Sequence, residues 1–448
     1  MNGSAPPLAD ALCVAATAWR GLRGGTSLDR ALAAAVGRFA SPAATAHPRL
    51  AAAAKDIAYT ATRHLALIDA MLHKLAHRAP DPAVAALLAV SLGQLLSPRH
   101  ASYVVVDQAV RAAGSAAETR AAGGFVNAVL RNALRRMTGL RPELEQQPTV
   151  AFNAPHWWIE RMQDAEPARF AQILQLQRLP PPLVLRVNRR RGSVAQYLQR
   201  LRLEGIDASR VGPAAVWLHA PLPVHDIPGF DTGDVSVQDA GAQLAVQMLQ
   251  VADGMRVLDA CAAPGGKTAH LAEVADDLAI DAVEIDAARA GRIEENLARV
   301  HAREHARVNV HIADAAQPGR FADGHYARIL LDAPCTASGI VRRHPDIPWL
   351  RRPADVAQLA TLQGRLLDAL WPLLGPAGRL LYVVCSVFPE EGPRQAEDFA
   401  ARHADARALA LPGVGDSRLR LLPAQGADWS RGLPSVHDGF FFAMFEKT

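Results

Sequence analysis

The run Val257-Leu258-Asp259-Ala260-Cys261-Ala262-Ala263-Pro264-Gly265-Gly266-Lys267-Thr268 indicates the fold of the C-terminal half of the chain. An apolar strand leads into a turn with two glycines, and a helix follows the turn. This order brings backbone N–H groups at the start of the helix close to a bound ligand. A phosphate-binding P-loop requires glycine where Cys261 stands, and the dinucleotide pattern GxGxxG is absent. Neither phosphate motif therefore describes this turn.

Strands and helices alternate outward from this run, beginning near residue 240. We expect strands at Met255–Leu258, Ile280–Ile285, Val308–Ile312, Ala327–Asp332, Arg379–Val384 and Gly439–Phe445, and helices ending near Val274 and over Ala287–His301 and Ala354–Leu374. Repeated βα units predict a parallel, doubly wound α/β sheet of the Rossmann type. Ligands are then expected at the carboxyl ends of the strands.

Acidic residues follow the second and third of these strands. Glu284 stands 17 residues after Lys267, with Asp286 close behind, and an acid there can accept hydrogen bonds from both ribose hydroxyls. Asp314 follows the third strand and could reach an adenine amino group. The alternative is that such an acid caps the next helix. The pocket suits a nucleoside without a pyrophosphate, and S-adenosylmethionine fits that description.

The four cysteines are too few and too scattered for a disulfide framework or a CxxC zinc site. Cys261 begins the ligand turn, whereas Cys335 and Cys385 each follow a predicted strand. Two thiols at neighbouring strand ends predict thiol chemistry. Cys13 lies on an Ala-rich helical face and is interpreted as an inert core residue.

Residues 1–140 have a helical pattern and an excess of positive charge. They hold 15 Lys and Arg against 7 Asp and Glu, a net +8, whereas the rest of the chain has a net −4. The clearest helix follows Gly124, with apolar residues at Val126, Val129, Leu130, Ala133, Leu134 and Met137 and arginines on the opposite face. This pattern indicates either an RNA-facing domain or ordinary solvated helix faces.

Between these parts, residues 141–155 are predicted to be a linker interrupted by Pro142 and Pro148. A compact α+β pattern follows, with strands at Leu183–Val187, Val216–Leu218 and Val235–Gln238 and a helix at Val194–Glu204. A run of arginines at the exit of the first strand either clamps phosphates or lies in an exposed loop. Its members are Arg186, Arg189, Arg190 and Arg191.

The composition is 50% hydrophobic and 21% charged, which is typical of a globular protein and excludes disordered and fibrous classes. The longest apolar run, Ala83–Leu96, is shorter than the roughly 18 residues of a membrane helix and is predicted to be a buried helix. The N-terminus lacks the features of a signal peptide. We therefore expect a cytoplasmic protein with no membrane association.

The stretch from about Val235 to the C-terminus resembles the RNA cytosine-C5 methyltransferases of the Nol1/Nop2/Sun family. The matching motifs are Asp259–Thr268, Asp332–Cys335, Arg342–Trp349, Tyr382–Ser386 and Phe388–Glu391. Residues 1–140 are similar to NusB-type RNA-binding domains, most clearly at Phe125–Arg131. Within this family, a NusB-like domain ahead of the methyltransferase is a feature of bacterial enzymes that modify 16S rRNA.

The resemblance implies a multi-domain chain: an all-α NusB-like domain (1–140), an α+β RNA-recognition and linker module (141–235), and a Rossmann-like class I methyltransferase domain (236–448). It further implies a monomer that uses S-adenosylmethionine, releases S-adenosylhomocysteine and needs no metal. The expected substrate is 16S rRNA or a small-subunit precursor. The expected target within that RNA is a cytosine of the class found at position 967 of 16S rRNA.

The resemblance also implies the roles of individual residues. It makes Cys385 the nucleophile, assigns product release to Cys335, and places Asp332 and Lys267 beside the target base. The residues expected to bind the cofactor are Cys261, Ala262, Ala263, Pro264, Gly265, Gly266, Lys267, Glu284, Asp314 and Asp332. Val384 stands where the family usually has Thr, so a hydroxyl beside the nucleophile is missing.

Two thiols suit this reaction because cytosine C5 is a poor nucleophile until a thiolate adds to C6. The target base must also leave its stack to meet the thiol. Two alternatives remain open: the same chemistry on tRNA or another rRNA cytosine, and a non-catalytic RNA-binding assembly factor. A DNA cytosine methyltransferase, by contrast, would ordinarily place its nucleophile at Cys335 and would not need Cys385.

Overall fold

A computed structural model describes residues 7–39, 48–76, 78–97, 99–319, 321–426, 429 and 432–448. Residues 1–6 and 40–47 of the predicted helical domain lie outside these ranges. The chain forms two compact units. The helical unit comprises Met1–Leu179 and Val341–Arg351, and the sheet unit comprises Pro180–Ile340 and Arg352–Thr448.

The helices and strands follow one another in this order: α1 (Leu8–Arg23), α2 (Leu28–Phe39), α3 (Pro48–Thr62), α4 (Leu65–Leu75), α5 (Pro82–Leu96), α6 (Ser102–Ser115), α7 (Gly123–Leu144), α8 (Pro148–Phe152), α9 (His156–Ala165), α10 (Phe170–Arg178), β1 (Leu183–Val187), α11 (Val194–Leu203), β2 (Ala208–Arg210), β3 (Ala215–Leu218), β4 (Val235–Val237), α12 (Ala240–Leu249), β5 (Arg256–Ala260), α13 (Gly266–Val274), β6 (Leu278–Glu284), α14 (Ala287–Arg299), β7 (Ala306–Ile312), β8 (Tyr326–Asp332), α15 (Ile347–Leu350), α16 (Pro353–Leu370), β9 (Leu374–Val384), α17 (Pro393–Arg402), β10 (Ala406–Ala408), β11 (Arg418–Leu421), β12 (Ala424–Gln425), β13 (Val436–His437) and β14 (Phe440–Lys447). Within the described ranges, no helix is both long and apolar enough to cross a membrane.

The helical unit is built around one apolar core to which α1 to α7 contribute. The predicted stripe of α7 is confirmed, because Val126, Val129, Leu130 and Ala133 are buried, while Arg135 and Arg136 on its other face are exposed. Helix α5 matches the predicted buried helix and is apolar on nearly all sides. Burial of these faces is the main source of stability for such helices.

The predicted linker at 141–155 is wrong over most of its length. Helix α7 continues through Pro142 to Leu144, and α8 begins at Pro148. Pro142 lies in the last turn of α7, where its missing N–H removes only one helical hydrogen bond. The buried side chains of Leu140 and Leu144 belong to the helical core and hold this turn in place.

The segment Val341–Arg351, here called the inserted segment, belongs to the helical unit although it follows β8 in the chain. Its Asp346 Oδ2 accepts a hydrogen bond of 2.9 Å from the backbone N–H of Leu28, which begins α2. Trp349 and Leu350 pack against the helical core. The family motif Arg342–Trp349 is therefore part of the helical unit.

A small four-stranded antiparallel sheet in the order β2-β3-β1-β4 opens the sheet unit. Three of its strands match the predicted positions, whereas β2 was not predicted. Helix α11 begins with a capping box between Ser193 and Gln196. Capping satisfies N–H groups that the first helical turn leaves without partners.

Two of the four arginines at the exit of β1, Arg186 and Arg190, are held in contacts within the protein and are not available as a phosphate clamp. Arg186 is fully buried and forms a bidentate ion pair with Glu273 of α13, with Nη2 2.6 Å from Oε1 and Nε 2.9 Å from Oε2. Arg190 donates to two carbonyl oxygens at the end of α13, and Arg191 lies 3.7 Å from Asp234. Arg186 and Arg190 therefore join the exit of β1 to α13, whereas Arg189 and Arg191 are exposed.

The large sheet has the order β10-β14-β9-β8-β5-β6-β7, with β11 also paired to β14. Strands β5 to β9 are parallel, as predicted, whereas β14 runs antiparallel to β9. Strand β9 begins at Leu374, earlier than the expected Arg379. Because β5 is central, with β6 and β8 on its two sides, the loops after these strands meet at one edge.

Candidate active site

The turn after β5 has the backbone geometry expected of a ligand-binding loop. Cys261 has a φ of 62° and Gly265 a φ of 92°, both in the left-handed region. A Cβ added at Gly265 would lie 2.9 Å from Cα of Ile293 on α14, so the position accepts only glycine without a shift. Helix α13 starts at Gly266 and directs its first N–H groups toward this turn.

Asp259, at the end of β5, stabilises the turn through a buried hydrogen bond. The carboxyl group is fully buried, and its Oδ2 accepts a 2.6 Å hydrogen bond from Thr268 Oγ1. Burial raises the pKa of Asp259 to about 7, against the lowering effects of that hydrogen bond and of Lys267. The strand end and the first turn of α13 are thereby tied together.

Glu284 ends β6 with a side chain that is almost completely buried. Its Oε1 accepts from Asp286 N at 3.1 Å and faces Arg289 Nη1 at 3.3 Å. Its Oε2 has no hydrogen-bond partner within the described part of the chain. The capping role falls instead to Asp286, which accepts from two N–H groups of α14. A buried, unsatisfied acceptor at this strand end fits a ribose hydroxyl.

Asp314 lies two residues beyond β7 and is half-buried. Its Oδ1 accepts from Ala316 N at 2.9 Å, and its Oδ2 from Gln317 Nε2 at 3.3 Å. The structure therefore places Asp314 in a local turn at the same edge as Glu284, with its carboxylate still partly accessible.

Lys267 and Asp332 form an ion pair across the strand ends of β5 and β8, with Nζ 2.5 Å from Oδ2. Burial is the largest influence and opposes the charged form of Lys267, but the charge and hydrogen bond of Asp332 together with the charge of Asp259 raise the pKa of the lysine above its ordinary value. The pair keeps one charge of each sign at the edge where the turn and the thiols meet.

Cys335 and Cys385 are brought together by the neighbouring strands β8 and β9. Their sulfur atoms are 3.4 Å apart. Cys335 is buried, whereas Cys385 is partly exposed. The hydrogen bond with Cys385, burial and the negative charge of Glu391 all raise the pKa of Cys335 well above that of a free thiol. Cys335 therefore holds its proton and can donate it toward Cys385.

The other two cysteines occupy different surroundings. Burial, followed by the charges of Asp332 and Glu284, raises the pKa of Cys261 to about 12, so its thiol stays protonated. Cys13 is in the helical unit and packs beside the helical core. Among the described residues, no group of three or more His, Cys, Asp or Glu side chains could hold a metal ion.

One feature of the site had no role assigned from the sequence. Glu391 is completely buried and accepts hydrogen bonds from Thr336, the neighbour of Cys335, and from Ser386, the neighbour of Cys385. The only sequence signal available was its place at the end of the motif Phe388–Glu391. Val384 is fully buried in the apolar cluster that also contains Cys335.

Comparison with known proteins places the chain among rRNA-modifying enzymes. Residues 246–446 match the family described as 16S rRNA methyltransferase RsmB/F. Residues 154–225 match the ferredoxin-like domain of RsmF/B-like methyltransferases, and residues 22–135 match the NusB family. The RsmB/F match agrees with the family resemblance of the C-terminal part of the sequence, and the NusB match with that of the N-terminal part.

Relatives of similar length carry one shared name. The chain is 40% identical over 405 residues to "Ribosomal RNA small subunit methyltransferase B" of Pseudomonas syringae pv. tomato, with 88% of each chain covered. It is 38% identical over 364 residues to the protein of that name from Photorhabdus laumondii, with 81% of each covered. A methyltransferase homolog of known structure from Pyrococcus horikoshii is 27% identical, with a TM-score of 0.56, over 67% of this chain and 97% of that one.

Proposed function

The chain belongs to the RsmB/F family of 16S rRNA methyltransferases, and on that premise we propose that it methylates C5 of one cytosine in 16S rRNA with S-adenosylmethionine. The observation that carries the proposal is the pair of sulfur atoms, 3.4 Å apart at neighbouring strand ends. Methylation at a base nitrogen or at a ribose hydroxyl has no use for two adjacent thiols, whereas methylation at C5 uses both.

The residues at the turn after β5 fit S-adenosylmethionine. The unsatisfied Oε2 of Glu284 would accept from the ribose, and Asp314 would accept from the adenine amino group. The backbone from Cys261 to Lys267, with Asp332, would hold the remainder. When bound, this cofactor supplies an electrophilic methyl group. No phosphate site is required, which agrees with the absence of a P-loop glycine.

Cys385 is the proposed nucleophile. Its sulfur forms a bond to C6 of the cytosine, and the electron pair of the C5–C6 double bond moves toward C5, which becomes nucleophilic. Asp332 would meet the base at N3, where a shared proton offsets the charge that develops on the ring. Lys267, paired with Asp332 at 2.5 Å, orients that carboxylate and balances its charge.

Cys335 is the proposed base for product release. While Cys385 is free, contact with it raises the pKa of Cys335. Once the sulfur of Cys385 is bonded to C6, it is neutral and no longer raises that pKa. Cys335 first releases its own proton to water, and its thiolate then takes the proton from C5. The C–H electron pair re-forms the C5–C6 double bond, and the C6–S bond breaks to release Cys385 as a thiolate.

The helical unit is the proposed RNA-binding part. The exposed arginines of α7, including Arg135 and Arg136, offer positive charge to phosphates. Arg135→Gln combined with Arg136→Gln should weaken RNA binding and flatten its salt dependence, whereas unchanged affinity would contradict this role. We place the reaction in the cytoplasm, on the rRNA or a small-subunit precursor.

Two cysteine substitutions test the catalytic assignment in opposite directions. Cys385→Ala should abolish methylation and any covalent RNA adduct, whereas Cys335→Ala should let an adduct accumulate that survives denaturing electrophoresis. Cys13→Ala in the helical unit is the matched control and should change neither. An active Cys385→Ala variant, or a Cys335→Ala variant inactive without an adduct, would refute the roles.

The target is tested separately by mapping 5-methylcytosine in total RNA from cells with and without the gene. Loss of one 16S rRNA mark, of the class at position 967, is the expected result. A lost mark in tRNA or at another rRNA cytosine would leave the chemistry intact but correct the substrate. No lost mark in any RNA would favour the non-catalytic assembly factor.

A further inference from the structure

We propose that Glu391 is a positioning residue that holds the two thiol-bearing loops in register, so that Cys335 and Cys385 can divide the reaction between them. The inference rests on the proposed function for its catalytic consequence. Its structural content, the spacing of the two sulfur atoms, can be tested without RNA. The carboxylate acts on the two thiols through the residues that follow them in the chain, Thr336 and Ser386.

The contacts of Glu391 reach both loops. Its Oε1 accepts from the backbone N–H of Thr336 at 2.8 Å. Its Oε2 accepts from Thr336 Oγ1 at 2.5 Å and from Ser386 Oγ at 2.6 Å. One carboxylate therefore binds the residue that follows Cys335 and the residue that follows Cys385. A displacement of either loop breaks a hydrogen bond to a buried carboxylate, which is costly.

The carboxylate is itself held from the other side. Gln363 of α16 donates to Oε1 at 3.2 Å, and the hydroxyl of Tyr382 on β9 donates to the backbone oxygen of Glu391 at 2.6 Å. Gln363 and Tyr382 are also joined to each other at 3.0 Å. All three side chains are completely buried. The network thus gives Glu391 a fixed location relative to β9.

A carboxylate suits this place better than a neutral side chain for two reasons. It only accepts hydrogen bonds when ionised, so Thr336 and Ser386 must both turn their hydroxyl hydrogens toward it. Its negative charge also acts on Cys335 and contributes to the raised pKa of that thiol. Burial raises the pKa of Glu391 as well, and the hydrogen bonds from Ser386 and Thr336 counter that shift.

The loops also share a backbone hydrogen bond, from Gly339 N to the carbonyl oxygen of Cys385 at 2.9 Å. Closer to the thiols, the backbone N–H of Val387 donates to Ser338 Oγ at 3.0 Å, so the two loops are joined at more than one point. Ser338 Oγ contacts Ser386 Oγ at 2.9 Å, but Ser386 is itself bound by Glu391. Glu391 adds to these contacts one carboxylate that binds both residues next to the thiols, Thr336 and Ser386.

Oxidation by diamide measures the spacing directly. Diamide removes two hydrogens from two thiols and is reduced to a hydrazine, while the sulfur atoms form one S–S bond of about 2.05 Å. The sulfurs of Cys335 and Cys385 need only a small approach from 3.4 Å. Peptide mass mapping after oxidation of the full-length protein identifies the 335–385 disulfide and excludes Cys261 and Cys13.

The variants are Glu391→Ala, Glu391→Gln and, as a matched control, Asp281→Asn. Asp281 of β6 is also a buried carboxylate with several hydrogen bonds, to Tyr326, His311 and Arg256, but it does not bind the thiol loops. Glu391→Ala should slow formation of the disulfide at least about tenfold and lower kcat for RNA methylation about 100-fold. S-adenosylmethionine affinity should remain that of the wild type.

Glu391→Gln keeps the size of the side chain and an oxygen for Thr336 N, so it should recover most of the oxidation rate. Its missing charge should shift the pH dependence of thiol alkylation by iodoacetamide to lower pH. Wild-type oxidation rates in both Glu391 variants, or equal slowing by Asp281→Asn, would overturn the proposal. If Glu391→Ala does not fold, the alkylation profile of Glu391→Gln decides, and an unshifted profile refutes it.

Failure of the proposed function would give a different pattern of results from failure of the Glu391 proposal. An active Cys385→Ala variant would remove the catalytic consequence, while the dependence of disulfide formation on Glu391 would stand.

Discussion

Removal of the Glu273 carboxylate should destabilise the sheet unit more than the loss of any exposed ion pair. In the native protein, Glu273 of α13 accepts two hydrogen bonds from Arg186 of β1, at 2.6 and 2.9 Å. The side chain of Arg186 is 0% exposed and that of Glu273 is 5% exposed. Glu273→Ala leaves the guanidinium buried, with only Gln238 and the carbonyl oxygen of Gly266 as partners.

The magnitude follows from this burial. Removal of one partner of a buried ion pair costs about 3–5 kcal/mol, because the remaining charge is left without compensation. For a unit of this size, a loss of about 4 kcal/mol lowers Tm by about 10 °C. The double variant Arg186→Met with Glu273→Ala removes both charges and should recover much of the loss, since an apolar replacement of a buried pair is often neutral.

Thermal unfolding followed by circular dichroism measures these differences, with Glu294→Ala as the control. Glu294 pairs with Arg303 at 2.6 Å, but both side chains are nearly half exposed, so its loss should cost about 0–1 kcal/mol. Equal destabilisation by Glu273→Ala and Glu294→Ala would refute the reasoning. So would a double variant as unstable as Glu273→Ala alone.

Three further substitutions have defined outcomes. The folded protein retains a proton on Asp259 up to about pH 7, whereas the unfolded chain releases it near pH 4. This group therefore lowers the free energy of unfolding by about 4 kcal/mol as pH rises between those values, and Asp259→Asn should remove that part of the loss when Tm is measured against pH. Gly265→Ala should lower S-adenosylmethionine affinity in calorimetry, because its Cβ would press on Ile293 from a φ of 92°; unchanged affinity would show that the turn does not approach the ligand. Asp346→Ala should destabilise the helical unit by about 1–3 kcal/mol in urea unfolding, because it leaves the buried N–H of Leu28 without its acceptor, and a cost near zero would contradict this contact.

The fold was predictable from the sequence wherever a pattern is local. The parallel strands of the large sheet and β14 were placed within about five residues, because short apolar runs separated by helices have few other interpretations. The short strands β10 and β11 were not predicted. Cys335 and Cys385 were expected at neighbouring strand ends. The NusB-like helices were found from their apolar stripes.

The contacts that the sequence did not reveal join residues far apart in the chain. Arg186 was interpreted as a phosphate ligand or a loop residue because its partner Glu273 lies 87 positions away. Glu391 carried no periodic signal, and its role depends on Thr336, 55 positions away. The end of α7 was missed because Pro142 indicates a break, and only tertiary burial of Leu144 outweighs that preference.

The inserted segment has a consequence for the ancestry and engineering of this chain. The chain passes from one unit to the other three times, after Leu179, Ile340 and Arg351. The helical unit is therefore encoded by two separated stretches of the gene. An exchange of the N-terminal domain by recombination, or its removal as a cassette, would leave Trp349 and Leu350 without the core that covers them. The two parts are therefore expected to be inherited and to vary together, and a chimaera should carry residues 341–351 from the same parent as its N-terminal helices.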